Sequence, residues 1–487
     1  MSDESVLDRL DVIKEALQTV PSVFLVGASG LLSIVIFARL LSQAQVGLYS
    51  VGLSIVMLVN ALAIGIGLAV KKKVSEGDNN KTAYLSSGLI LLVTWLFISI
   101  SVLLLATPIL QTYTEFTTNQ ITALAFFVFC HCVFTLVREY ISGVGYPGKA
   151  EISAVFRASI MLVSQIALIT LVQYGVFGLF IGGGVGYGVG TVLLFGFGIK
   201  KSVISNALPK KETLKNVLSF SKWSILDQSL STSYRWFDTV VVFVLGGAAV
   251  SGQFKILYTV VTGAVMFSNG IRKPVYVKLS NLHGKNKNIA KTSSVVSGYI
   301  SWAAIGALFG VIAFGNEILF YVFGAEYSQG GLSLIILGIF MVFFTQRIGF
   351  EMFYYVQDKP RVSMRMNILV IVSFFVSLII QFATGIASSL PIISVASSLL
   401  FAEIVRYIGY LMMIKSETGV WFVSKVPIEN VFSGAVMCLV LFTLKQSVGV
   451  NSIKHLFVFI CIGFGVYLLV ERFLFGRSLS AVKDELE

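Results

Sequence analysis

Arg235 and Asp238 lie three residues apart in the stretch SYRWFDTVVVFVLGGAAVSGQF (233–254), and an almost unbroken apolar run follows them. Lys222, Asp227 and Gln228 stand upstream in the same apolar window. The chemistry open to such residues is ionic rather than covalent. A guanidinium offers a phosphate two parallel hydrogen bonds through its planar fork. A carboxylate three residues on shares its helix face, and it can orient the guanidinium or carry a proton or sodium ion. A plainer reading also fits: the two charges neutralise each other and stitch neighbouring helices together. A charge at mid-bilayer costs roughly 2.5–3.5 kcal/mol on insertion scales, so it marks a functional site by default. Counted back from Leu245, where the window ends, Arg235 is about 15 Å deep at 1.5 Å per residue, in a hydrocarbon layer about 30 Å thick.

The elements that must position this pair are membrane spans. Of the 487 residues 56% are hydrophobic, mean hydropathy is +0.88, and 12% are charged, about half the roughly 25% of soluble domains. Apolar windows of membrane-crossing length predict fourteen spans: 20–42, 46–70, 83–106, 121–142, 151–172, 176–199, 219–245, 250–271, 293–315, 329–354, 364–386, 389–413, 427–447 and 453–472. With the N-terminus inside, the inner segments hold 27 lysines and arginines and the outer loops hold two, Lys445 and Lys454. That asymmetry predicts both termini inside and an even number of spans. The net charge of +12 is thus a topology signal, matching basic loops to anionic headgroups rather than to nucleic acid. Residues 1–19 are polar with mixed charge; they read as an amphipathic helix before Pro21, not as a cleavable signal. No loop is long enough for a separate domain, and no G-x-x-x-x-G-K-[ST] sequence occurs, so nucleotide hydrolysis is not expected.

The remaining polar residues of the spans are assigned in the same way. Arg39, near the outer end of the first span, is the matching headgroup cation, or a side chain snorkelling to the interface. Lys255, at the start of the eighth span, is a further headgroup candidate. Asp227 and Lys222 lie toward the inner side of the seventh span, where they would form an entrance beside Gln228. Asn60, midway along the second span, either lines a cavity or bonds a neighbouring helix. Arg138–Glu139, Arg157, Arg347–Glu351 and Glu403–Arg406 lie nearer the inner ends, which suits anchoring or pairing between helices. Cys130-His131-Cys132 imitates a metal motif, but consecutive helical positions point about 100° apart and cannot all face one ion. All four cysteines lie in apolar spans, so neither a disulfide framework nor a zinc site is expected. The run GGGVGYGVG (182–190) does not fit G-x-G-x-x-G; Gly182, Gly186 and Gly190 instead form the small-xxx-small face of a closely packed helix.

The chain also repeats itself. LLSQAQVGLYSVGLSIVML (40–58) aligns with LGGAAVSGQFKILYTVVTG (245–263) at an offset of 205, placing Leu40 on Leu245, Ala44 on Ala249, Gly47 on Gly252 and Tyr49 on Phe254. REYISGVGYPGKAEI (138–152) resembles RIGFEMFYYVQDKPR (347–361) at a similar offset. Since the loop charges send spans 1 and 7 in the same direction, the expected fold is an all-α polytopic membrane protein of two parallel six-helix lobes. The N-lobe is 20–199, a basic linker 200–218, the C-lobe 219–413, and 414–487 is an appended helix pair with a tail. Such repeats suit a transporter with its site between the lobes near the midplane.

ARLLSQAQVGLYSVG at the end of the first span, KKKVSEGD after the second, Arg-x-x-Asp in the seventh, LGGAAVSGQF after it and VFGAEYSQG before the tenth together resemble the polysaccharide and O-antigen flippases of the multidrug, oligosaccharidyl-lipid and polysaccharide exporter superfamily. Ser42 and Phe254 depart from the usual glycine and tyrosine of that pattern. The resemblance implies alternating access: a lipid-linked oligosaccharide or polysaccharide unit passes from the cytoplasmic to the outer leaflet, its headgroup between the lobes. It implies a monomer in the cell membrane with no cofactor, coupled to a proton, sodium, the membrane potential or a lipid gradient. A cation-coupled drug exporter would want a carboxylate between Pro21 and Val70, where there is none. A polymerase or ligase would want larger outer loops. A scaffold or channel without a transport cycle is not excluded by the repeat.

Overall fold

The computed structural model describes residues 12–475 apart from 77–80, 205–207, 210, 264, 267, 269–274, 277–278, 281, 284–288, 358, 420 and 423. The expected amphipathic segment therefore lies outside the described residues up to position 11, as do much of the basic loop after the eighth span and the C-terminal tail. Among the described residues there is no strand, and thirteen helices are long and apolar enough to cross a membrane. In order the long helices are Val12–Leu40, Gln43–Ser75, Lys81–Leu105, Thr118–Gly143, Pro147–Thr170, Gly175–Lys200, Lys211–Thr262, Ile289–Ile318, Gly331–Val356, Pro360–Ala383, Pro391–Thr418, Val426–Val448 and Ile453–Phe475. Twelve of the fourteen expected spans each have a helix of their own, and Lys211–Thr262 covers the seventh and the first part of the eighth, whose remainder lies partly outside the described residues. Lys211–Thr262 breaks at Gly247 (φ 80, ψ −174), a left-handed backbone that glycine adopts without a Cβ penalty. What hydropathy reads as an outer loop is one glycine. The same helix starts at Lys211, so the second half of the basic linker is helical.

Local chemistry sets the helix ends. Ser42 and Thr117 cap Gln43–Ser75 and Thr118–Gly143, each in a capping box with Gln45 or Gln120 at the third position, satisfying backbone N–H groups that the helix leaves unpaired. Proline opens Pro147–Thr170, Pro360–Ala383 and Pro391–Thr418, where its missing N–H costs nothing.

By compactness the chain divides into Met1–Gly252 and Gln253–Glu487. In the first unit Thr118–Gly143 packs between Gln43–Ser75 and Gly175–Lys200, which in turn lies against Pro147–Thr170. The glycine stripe makes that last contact. A Cβ on Gly182 would stand 2.7 Å from Gln165, one on Gly186 2.5 Å from Met161, and one on Gly190 2.9 Å from Arg157. Real Cβ atoms do not come that near, so the run is a packing surface, as its four-residue spacing predicts. The seventh span is tied into this unit: Ser87 and Thr213 share a hydroxyl hydrogen bond of 2.8 Å, and Ser224 donates to the Gly65 carbonyl at 2.7 Å.

Gly47 and Gly252, matched by the repeat, meet in the same unit. A Cβ on Gly47 would lie 1.8 Å from the Ala248 carbonyl oxygen, and one on Gly252 would lie 2.1 Å from the Gln43 carbonyl oxygen. Gln43 and Ala248 are themselves repeat partners, so the contact is reciprocal. Each glycine turns its Cα–H toward the other side's carbonyl, a weak hydrogen bond usual at close helix crossings.

In the second unit Gly331–Val356 packs along Ile289–Ile318, and Pro360–Ala383 along Pro391–Thr418. The last two helices dock on Ile289–Ile318. Asn430 donates to the Gly298 carbonyl at 3.2 Å, Tyr467 donates to the Trp302 carbonyl at 3.0 Å, and Lys445 pairs with Glu317 at 2.6 Å.

Candidate functional site

The seventh span places its charges along one helix in different surroundings. Arg235 is exposed, and its Nε donates to the Ser231 carbonyl at 3.3 Å. Asp238, one turn on, is 2% exposed, and its Oδ1 accepts from the Thr239 backbone N–H and from the Thr239 hydroxyl at 3.1 Å. Ser251, beyond the Gly247 break, donates to the Thr239 carbonyl at 3.4 Å, so the buried carboxylate sits just before a bend pinned on both sides. Asp227 and Gln228 are half-buried and Lys222 is exposed. Outside this span, Arg39 is exposed in the last turn of Val12–Leu40 and Lys255 is half-buried. Asn60 is buried, its side-chain oxygen without a hydrogen-bond partner.

Apart from Arg157, the charges read as anchors or pairs do pair, some across helices and some between turns of one helix. Lys71 meets Glu139 at 3.0 Å, and Arg138 meets Glu151 at 2.7 Å. In the second unit Arg347 stands 3.5 Å from both Glu351 and Glu403, Glu403 pairs with Arg406, and Arg406 donates to Asn367 at 3.1 Å. Arg406 is fully buried, so it does not snorkel; two arginines and two glutamates on two helices, with Asn367 on a third, form one network. Arg157 differs, being stacked on Tyr187 at 4.4 Å with no ion pair among the described residues. Residue types alone do not separate it from the paired arginines, because the difference lies in what the adjoining helix presents. Among the described residues no group of His, Cys, Asp and Glu could hold a metal ion. Cys130 and Cys132 are free and buried, while His131 packs tilted against Tyr187 with ring centroids 4.0 Å apart.

This architecture is that of a polytopic helical membrane protein. The structure is similar to lipid II flippase MurJ in an inward closed conformation, with a TM-score of 0.76 and 15% identity over 95% of this chain and 99% of that one. It is also similar to an inward-facing multidrug resistance MATE transporter of the MOP superfamily, at 0.67 and 14% identity over 88% and 96% of the two chains. In sequence it is 24% identical over 453 residues to the probable low-salt glycan biosynthesis flippase Agl15 of Haloferax volcanii, covering 90% of this chain and 91% of the relative. A second relative in that organism, the probable flippase AglR, is 23% identical over 60% of each chain. The family profile described as polysaccharide biosynthesis protein matches residues 14–280, more than half of the chain. The protein belongs to that family.

Proposed function

We propose that the protein is a flippase that carries a lipid-linked oligosaccharide or polysaccharide repeat unit from the cytoplasmic to the outer leaflet by alternating access. The observation that carries this reading is an exposed arginine deep in the seventh span, in a member of a polysaccharide biosynthesis family similar along nine-tenths of its length to a probable glycan flippase. A guanidinium there would cost several kcal/mol against lipid; a phosphate headgroup offers its fork two parallel charge-assisted hydrogen bonds. In this reading Arg235, Arg39 and Lys255 hold the headgroup. Asp238 and Asp227 orient it or carry the coupling proton or sodium, and Lys222, Gln228 and Asn60 line the path. The chain works as a monomer in the cell membrane with both termini cytoplasmic, and it drives the cycle without nucleotide hydrolysis.

The test is transport by variants that still insert. Arg235→Ala should leave cells with undecorated surface glycan and accumulated lipid-linked sugar on the inner leaflet. Normal transport by both Arg235→Ala and Arg39→Ala would refute the site. Full activity of Arg235→Lys would show that any positive charge suffices, and would remove the argument from bidentate capture.

A further inference from the structure

Among the described residues of the Met1–Gly252 unit, the buried Arg157 is met by no opposite charge. Arg157 lies about 15 Å along a helix about 36 Å long and is 8% exposed. Its guanidinium carbon stands over the Tyr187 ring at 4.4 Å and the Phe134 ring at 5.9 Å. Nη1 reaches only the Met161 sulfur, 4.0 Å away, and Nε has no hydrogen-bond partner. The first six spans hold two carboxylates, Glu139 and Glu151, and these are taken by Lys71 and Arg138. The helix facing Arg157 offers none either: Gly186 and Gly190 occupy the contact, where a Cβ would lie 2.9 Å from Arg157 atoms. A second orphan lies beside the first. His131 is 5% exposed, its Nδ1 is unpartnered, and its ring rests on Tyr187 as the guanidinium does.

Arginine cannot relieve burial by losing its proton. Stacking on rings recovers only part of the hydration it has given up. In the other unit Arg347 and Arg406 are balanced by Glu351 and Glu403, so uncompensated burial is not the habit of this chain. We propose that a small monovalent anion such as chloride binds at Arg157, taking the free Nε–H and, in the tautomer protonated at Nδ1, the His131 N–H. Rings and glycine backbone close around the guanidinium, which suits a halide and excludes a phosphorylated lipid. The site is therefore separate from the headgroup residues of the seventh span.

The test uses the full-length protein in nanodiscs, melted across a chloride series with gluconate keeping ionic strength constant. A ligand that binds only the folded state raises the melting midpoint saturably. Wild type should show that rise. Arg157→Gln should lose it and, in gluconate alone, melt no lower than wild type, because it removes an unbalanced charge. Met161→Glu places a carboxylate one turn from Arg157 and should make the protein indifferent to chloride with the arginine retained. The same chloride response in Arg157→Gln as in wild type, or no response in wild type, would overturn the proposal. So would an Arg157→Gln protein that melts well below wild type in gluconate, since the rings would then satisfy the guanidinium alone. If Arg157→Gln does not fold, the comparison of Met161→Glu with wild type decides.

Discussion

Arg235 and Asp238 are one turn apart, yet one is open and the other is shut inside the helix packing. Their residue types and spacing are plain in the sequence. Their separate surroundings are not, because a helical period says which residues share a face and nothing about which helix covers it. The same holds for the arginines of the spans. Arg138, Arg157, Arg347 and Arg406 look alike as single positive residues in apolar text. Three of them find partners on other turns or other helices, and Arg157 faces glycine. Arg406 offers the clearest stability test. It is fully buried, with Glu403 and Asn367 as partners, and breaking a buried pair strands the remaining charge. Arg406→Met should therefore lower unfolding stability by about 3–5 kcal/mol. Adding Glu403→Gln should recover part of that loss, because it removes a buried carboxylate left with only the longer Arg347 contact. Denaturant unfolding of the three variants in one detergent measures it.

Among the elements, hydropathy located the thirteen membrane-crossing helices because a membrane helix must be apolar for its whole crossing. It misplaced the ends where polar contacts, not apolar ones, decide. The Lys211 end is helical because Thr213 and Ser224 bond the second and third spans, contacts that a window average cannot register. The turn before Gly331–Val356 gives a second case. Gly324 has φ 124, and Tyr327 in the next turn is 1% exposed with its hydroxyl unpartnered. Burial, and then the charge of Glu326, pushes the Tyr327 phenol up from 10.0 to about 12. The folded state thus resists ionisation more than the unfolded one does. The associated stability is fully present below about pH 10 and is lost as pH rises from 10 toward 12. Tyr327→Phe, which cannot ionise, should move the alkaline unfolding midpoint upward and leave stability at neutral pH nearly unchanged; far-UV circular dichroism against pH reads both.

At the scale of the whole molecule, the internal repeat was legible because the two segments keep glycine and small residues at matched positions. The breaks fall at matched positions too: Ser42 caps one helix where, 205 residues on, Gly247 bends another. What the alignment could not reveal is that the matched glycines touch. Gly47→Ala and Gly252→Ala would each force a methyl onto a backbone carbonyl, and overpacking of that kind costs about 1–3 kcal/mol. Both changes relieve themselves by the same separation of the helices, so the double variant should lose less than the sum of the single losses. A thermal-melt double-mutant cycle checks this, and strict additivity would mean that the two glycines do not share one contact.

The Gly47–Gly252 crossing is unchanged when its two sides are exchanged, which is the signature of an isologous surface. Such a surface is encoded once and used twice: a half-length polypeptide carrying it would dock against its own twin. Fusing twins into one chain leaves that handshake intact while releasing every other position to drift apart. Such drift would let one half hold an unbalanced arginine at its heart while the other balances its own with glutamates.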